Sequence, residues 1–117
     1  MKKDYANKSE LASIVACRST CNVKVGAVIY DSFGIFSWGW NHVGAGTGEC
    51  AEIHAIKRAN KARLKGAAII VFTYRRNKQI NSKPCAKCEK VIRAHKIDSV
   101  SYFDSTSNKQ VIEFYDY

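Results

Sequence analysis

Two short stretches hold residues that could do chemistry together. GECAEIHAIKRAN, from Gly48 to Asn60, carries Cys50 and, two positions later, Glu52. KPCAKC, from Lys83 to Cys88, carries Cys85 and Cys88. Cys-x-x-Cys at the start of a helix can place both sulfurs on one metal, and the positive end of the helix favours thiolate over thiol. Cys50 makes this a set of three thiolates, each at the start of an expected helix that follows a loop. Three protein ligands leave one tetrahedral position open, as at catalytic zinc sites. A zinc ion so held would lower the pKa of a water in the open position, and Glu52 could take that proton and return it to a leaving group. The backbone N–H groups around Ala51 and Cys85 would face the developing charge.

Other roles are open to the same residues. Glu52 could be a first-turn acid that stabilises the helix dipole. His54 lies four residues after Cys50, on the same helix face, and could close a structural Cys50/His54/Cys85/Cys88 zinc site. Otherwise it lines the pocket or is buried. Cys17 and Cys21, four apart, read as packing residues on one helix face. His42 and His95 read as surface residues. Trp38 and Trp40 alternate on an expected strand and suit core or subunit interface better than base stacking.

The elements that must position these residues follow from periodicity. DYANKSELASIVACRS has Leu11, Ile14, Val15 and Arg18 at helical spacing. VKVGAVIYD and IFSWGWN, joined by SFG, read as a strand hairpin. HVGAGTGE reads as a loop. CAEIHAIKRANKARLK reads as one amphipathic helix ended by Gly66. AAIIVFTY reads as a strand buried on both faces. RRNKQINSK reads as a polar loop, and PCAKCEKVIRAHK as a helix with proline at its N-terminus. IDSVSYFD and QVIEFYDY read as strands joined by the turn STSNK. The order α-β-β-α-β-α-β-β implies an α/β fold with a mostly parallel central sheet and helices on its faces. The last two strands are too close in sequence for a crossover and should pair antiparallel.

At 117 residues, 46% of them hydrophobic, the chain suits a single domain over 1–117 with a core of its own. No run of about 20 apolar residues indicates a membrane span. No apolar stretch of signal-peptide length precedes Asp4 and Glu10. Five cysteines, an odd number, favour thiols or metal ligands over a disulfide framework and point to the cytoplasm. The net charge is +9, but its distribution says more. Between Ile53 and Ile97 there are 13 Lys and Arg against one acid, Glu89, while the rest of the chain holds 6 basic and 9 acidic residues. Such a segment favours a phosphate-bearing partner, single-stranded nucleic acid among them, or is a solvated face. Arg75, Arg76, Lys78 and Lys83, just before Pro84, are the candidate phosphate contacts.

Together the two stretches resemble the zinc-dependent cytidine/deoxycytidylate deaminase superfamily. The family signature, Cys/His-x-Glu followed by Pro-Cys-x-x-Cys, stands here as Cys50-Ala51-Glu52 and Pro84-Cys85-Ala86-Lys87-Cys88. VGAVIYDSFGIFSWGWN is similar to the hairpin before the first ligand, and Asn41 falls where the family has an asparagine that reaches the sugar. Cysteine as first ligand, the loop Arg75–Lys83 and the antiparallel ending are closest to cytidine deaminase and blasticidin-S deaminase. Val43 stands where the free-nucleoside enzymes have a glutamate on the ribose. The resemblance implies a three-layer α/β/α sandwich with about five strands in a mixed sheet, the last antiparallel. It implies hydrolysis of a cytosine base to uracil in a nucleoside or nucleotide. Zinc would sit on Cys50, Cys85 and Cys88, and Glu52 would be the proton shuttle. Asn41, Ala51, His54, Lys83 and Pro84 would lie at the substrate, and the protein would be a homo-oligomer. Two alternatives accompany this reading: a cytosine deaminase acting on single-stranded nucleic acid, and a non-catalytic basic module with a structural Cys3His zinc that binds nucleic acid.

Overall fold

The computed structural model describes residues 3–43, 48–76 and 78–117, with backbone alone for residues 3–7, 43, 48 and 49. Residues 44–47, most of the expected glycine loop, and Asn77 lie outside the described residues, as does the side chain of Val43. The elements are α1 (Lys3–Ala16), β1 (Val23–Asp31), β2 (Gly34–Trp40), β3 (His42–Val43), β4 (Gly48–Glu49), α2 (Ala51–Arg58), α3 (Lys61–Leu64), β5 (Ala68–Arg75), β6 (Lys78–Ile80), α4 (Ala86–Ala94), β7 (Ser99–Asp104) and β8 (Lys109–Phe114).

The main sheet runs β2-β1-β5-β7-β8, with short β6 added beside β5. It is mixed, and its last strand pairs antiparallel, as the order of elements requires. It is not mostly parallel: β5–β7 is the parallel pair, and β1–β2, β1–β5, β5–β6 and β7–β8 are antiparallel. The crossover through α2 and α3 does return the chain parallel to β2. It leaps over β1, however, so β1 separates the two parallel strands and pairs antiparallel with both. Topology, rather than periodicity, decides which strands become neighbours.

Three local expectations change. The helix expected from Cys50 to Lys65 is two helices, because Ala59 is extended and the Asn60 side chain accepts from Ala62 N–H at 3.0 Å, capping a new helix. An asparagine side chain offers the backbone an alternative to continuing the turn. The polar loop after β5 folds back as a hairpin, with Arg76 in the left-handed region at φ 52° and β6 paired to Thr73–Arg75. Part of the expected loop His42–Glu49 forms a small ladder, β3 with β4.

Helices cover both faces of the sheet. α2 packs on β2 and β1 and lies beside α4, while α1 packs on β1, β2 and β5. Two glycines set these distances. A Cβ on Gly26 would collide with the α1 backbone at Ala12, and one on Gly39 would stand 2.5 Å from Ala55 N and 2.7 Å from Ala51 O of α2. The α2/α4 face holds the larger core, built on Ile29, Ile56, Leu64, Ile69, Ile92 and Val100.

Candidate metal centre

Each thiol is placed by a helix start. Cys50 is the N-cap of α2 and Cys85 the N-cap of α4, and Cys88 follows in the first turn of α4. Both caps are extended, which turns the two sulfurs toward the space between the helix starts. Because α2 and α4 lie side by side, the three Sγ atoms fall within 4.8 Å of one another. A tetrahedron with Zn–S bonds of ~2.3 Å has edges of ~3.8 Å, so a small contraction would seat a metal.

The electrostatics agree with that donor set. Burial pushes the Cys50 and Cys88 thiols up, whereas N–H groups of the α4 first turn, Cys88 first, hold Cys85 down. A half-buried and a buried thiol that resist ionisation, beside a third that favours it, need a cation to become thiolates together. The residues present therefore fit zinc.

Glu52 lies in the first turn of α2 and is only 5% exposed. Burial raises its carboxyl above the usual carboxylate range. It lines, with the three cysteines, a cavity of about 480 Å³. Asn41, Ala51 and Lys83 line it too, whereas His54 and Pro84, two of the expected substrate residues, do not. His54 instead accepts at Nδ1 from the Trp40 N–H at 3.2 Å, and its ring packs edge-on against Trp40 and His42. It is no member of the cysteine cluster. Pro84 is buried beside Cys85.

Asn41 is held before any ligand arrives. Its Oδ1 accepts from Val25 N–H and its Nδ2 donates to Val23 C=O, each at 2.8 Å, as a strand residue would. One N–H and one lone pair remain for a substrate. The segment that delivers Cys85 is held by Ser82, whose buried hydroxyl donates to Val71 C=O at 3.1 Å and accepts from Phe103 N–H at 2.8 Å. Lys83 faces Glu113 loosely, at 3.8 Å.

Sequence reasoning passed over several lining residues: Cys21, Val25, His42, Thr73, Asn81 and Ser82. Thr73 had a signal, as the one hydroxyl in the apolar run before Tyr74. His42, read as a surface residue, had none, because its position depends on the turn out of β2. Cys21 does not share a helix face with Cys17: α1 ends at Ala16, Cys17 is exposed, and Cys21 is half-buried at the cavity. Trp38 and Trp40 are half-buried on the edge strand, with the Arg58 guanidinium 5.5 Å from each ring.

A family profile described as the cytidine and deoxycytidylate deaminase zinc-binding region matches residues 2–104. The chain belongs to this family. The family binds zinc, and the Cys50/Cys85/Cys88 cluster is the group that could hold it here. The fold is similar to that of cytidine deaminase from Burkholderia pseudomallei, with a TM-score of 0.74 and 24% identity over 94% of this chain and 91% of that one. It is also similar to dCMP deaminase from the cyanophage S-TIM5, with a TM-score of 0.67 and 21% identity over 81% and 78%. Cytidine deaminase from Mycobacterium leprae aligns with a TM-score of 0.63 and 16% identity over 95% and 92%. No curated protein sequence matches the chain. At these identities the solved structures establish the shared fold.

Proposed function

We propose that the chain is a zinc-dependent hydrolase that replaces the 4-amino group of a cytosine base, in a nucleoside or nucleotide, with oxygen. The observation that carries this is the buried Glu52 carboxyl in one cavity with three converging thiols. Cys50, Cys85 and Cys88 would hold the metal, which when bound supplies Lewis acidity and lowers the pKa of a water in its open position. Glu52 does the proton work. Its carboxylate accepts a proton as water adds at C4 and gives it to ring N3, and a second transfer lets the nitrogen leave as ammonia. Burial, which raises its pKa, favours its holding that proton between the two transfers. Asn41, already oriented by β1, positions the sugar, and Ala51 and Lys83 border the substrate.

Glu52→Ala should lower kcat by ~10²–10⁴-fold, the usual worth of a positioned general acid–base. Its zinc content, read by atomic absorption, should match the parent. Parent-like turnover would remove Glu52 from the mechanism. The basic-module reading needs His54 as fourth ligand, and the His54 ring is committed to Trp40 and His42.

The same reading extends to assembly and location. Ile14, Ile112 and Phe114 are exposed and would associate copies of the chain, which sedimentation velocity would detect. No described helix is long and apolar enough to cross a membrane. The five free thiols suit the reducing cytoplasm.

A further inference from the structure

A second cavity adjoins the catalytic one. Its volume is about 420 Å³, and its lining comprises Thr20, Cys21, Asn22, Lys24, Tyr74, Arg75 and Arg76. Cys21 borders both cavities, so the two lie side by side. Among the described residues, three cations and no carboxylate line it.

The fold brings these cations together. Val23 pairs with Arg75 and Lys24 with Tyr74, so Lys24 and Arg75 stand at the same end of the sheet with their side chains leaving opposite faces, and the cavity wraps that end and is lined by both. Arg76 follows in the left-handed turn that starts the β6 hairpin. The other four arginines of the chain have partners within the fold. Arg63 pairs with Asp31 and Arg93 with Glu89, while Arg18 and Arg58 lie against tryptophan rings. Among the described residues, neither Arg75 nor Arg76 has an acidic partner. Lys24 Nζ gives one bond to Ser19 C=O, at 2.5 Å, and keeps two donors. Thr20 and Asn22 add a hydroxyl and an amide. Guanidinium groups lining one cavity, with no carboxylate among its described residues, match phosphate oxygens, which they can engage through paired hydrogen bonds.

We propose that this cavity is the phosphate subsite of the catalytic cavity, so that the substrate is a cytosine nucleotide whose phosphate rests on Lys24, Arg75 and Arg76. The assignment deepens the deaminase reading and rests on it for the identity of the base. Of the basic residues before Pro84, it selects Arg75 and Arg76; Lys78 lines neither cavity, and Lys83 belongs to the catalytic one. The phosphate can be the terminal group of a mononucleotide or a backbone diester of single-stranded nucleic acid, since both present the same oxygens.

The test uses the zinc-loaded full chain and two readouts. The first is binding of the products dUMP and deoxyuridine by calorimetry, which needs no turnover. The parent should bind dUMP at least tenfold tighter than deoxyuridine, and the R75Q/R76Q double variant should lose most of that margin. Both residues are exposed, so the variant should fold, which its melting temperature checks. The second is the ratio of kcat/KM for dCMP over deoxycytidine, which should fall about tenfold or more in the double variant, the scale of one to two charge-assisted bonds. Lys78→Gln, outside both cavities, should leave the ratio in place. A single-stranded oligonucleotide with an internal cytosine separates the phosphate sources. If it outcompetes dCMP with a steep salt slope, the subsite takes a backbone phosphate; if dCMP wins with a shallow slope, it takes a terminal one. Equal binding of dUMP and deoxyuridine by the parent would overturn the subsite, as would a double variant with parent ratios. Absence of deamination on every cytosine compound, with dUMP still preferred, would instead sink the deaminase reading and leave the phosphate site standing.

Discussion

The two faces of the sheet are built to different standards. On the α2/α4 face, Ile56, Leu64, Ile69, Ile92 and Val100 are almost fully buried, and they form one cluster with Ala51 and Ala55, which flank Glu52. On the α1 face the buried cluster among the described residues is Ala12, Val28 and Ile70, with half-buried residues around it. Ile112 pairs with Ser101, which pairs with Ile70, so Ile112 belongs to that second face, where it is 45% exposed. Phe114, in register with Ser99 and Ala68, joins it at 75% exposure. The chemistry sits on the well-packed side. Three sulfurs from two helices can converge only if both helices are held at fixed height, and a dense core holds them there. The α1 face positions none of the three thiols and tolerates a looser surface.

The largest break in this contrast should come from Gly39→Ala. The new methyl would press on Ala55 N and Ala51 O, backbone atoms that cannot rotate away. Overpacking of this kind costs about 3 kcal/mol or more, and the first turn of α2 must shift with Cys50 on its rim. Urea denaturation should show the loss, and zinc content should fall with it.

A matched pair sharpens the comparison. Ile56→Ala, at 2% exposure on the catalytic side, should cost ~2–5 kcal/mol through lost burial and the cavity left behind. Ile14→Ala, at 57% exposure on α1, should stay within ~0.5 kcal/mol. Equal midpoints in parallel urea titrations would show that the faces do not differ in packing.

The smallest effect lies at the rim. Asp31, at the end of β1, accepts from Arg63 of α3 at 2.8 and 2.7 Å and ties the crossover to the sheet. This guanidinium, first among the causes, holds the Asp31 carboxyl below its ordinary value. A depressed carboxylate stabilises the fold above its unfolded pKa of about 3.9, and loses that contribution as pH falls through the lowered folded value. Asp31→Asn should therefore melt slightly below the parent at neutral pH, with the two curves converging under pH ~4. A gap that persists at low pH would assign the effect to packing of Arg63 over Phe36 instead.

The sequence alone singled out the three cysteines that converge, the helix starts that carry them and the antiparallel pairing of the last two strands. Those features depend on residue type at short spacing: Cys-x-Glu, Pro-Cys-x-x-Cys, and alternating or helical apolar patterns. Tertiary structure decided what depends on contacts between distant segments. It put β1 between the two strands that the crossover makes parallel, and it placed His54 against Trp40 and His42 rather than at the thiols. It let Ser82 anchor the Cys85 segment through Val71 and Phe103, and it brought Lys24 and Arg75, 51 positions apart, to the lining of one cavity. Local periodicity sets which side a residue faces, but strand register and helix height set what it meets there.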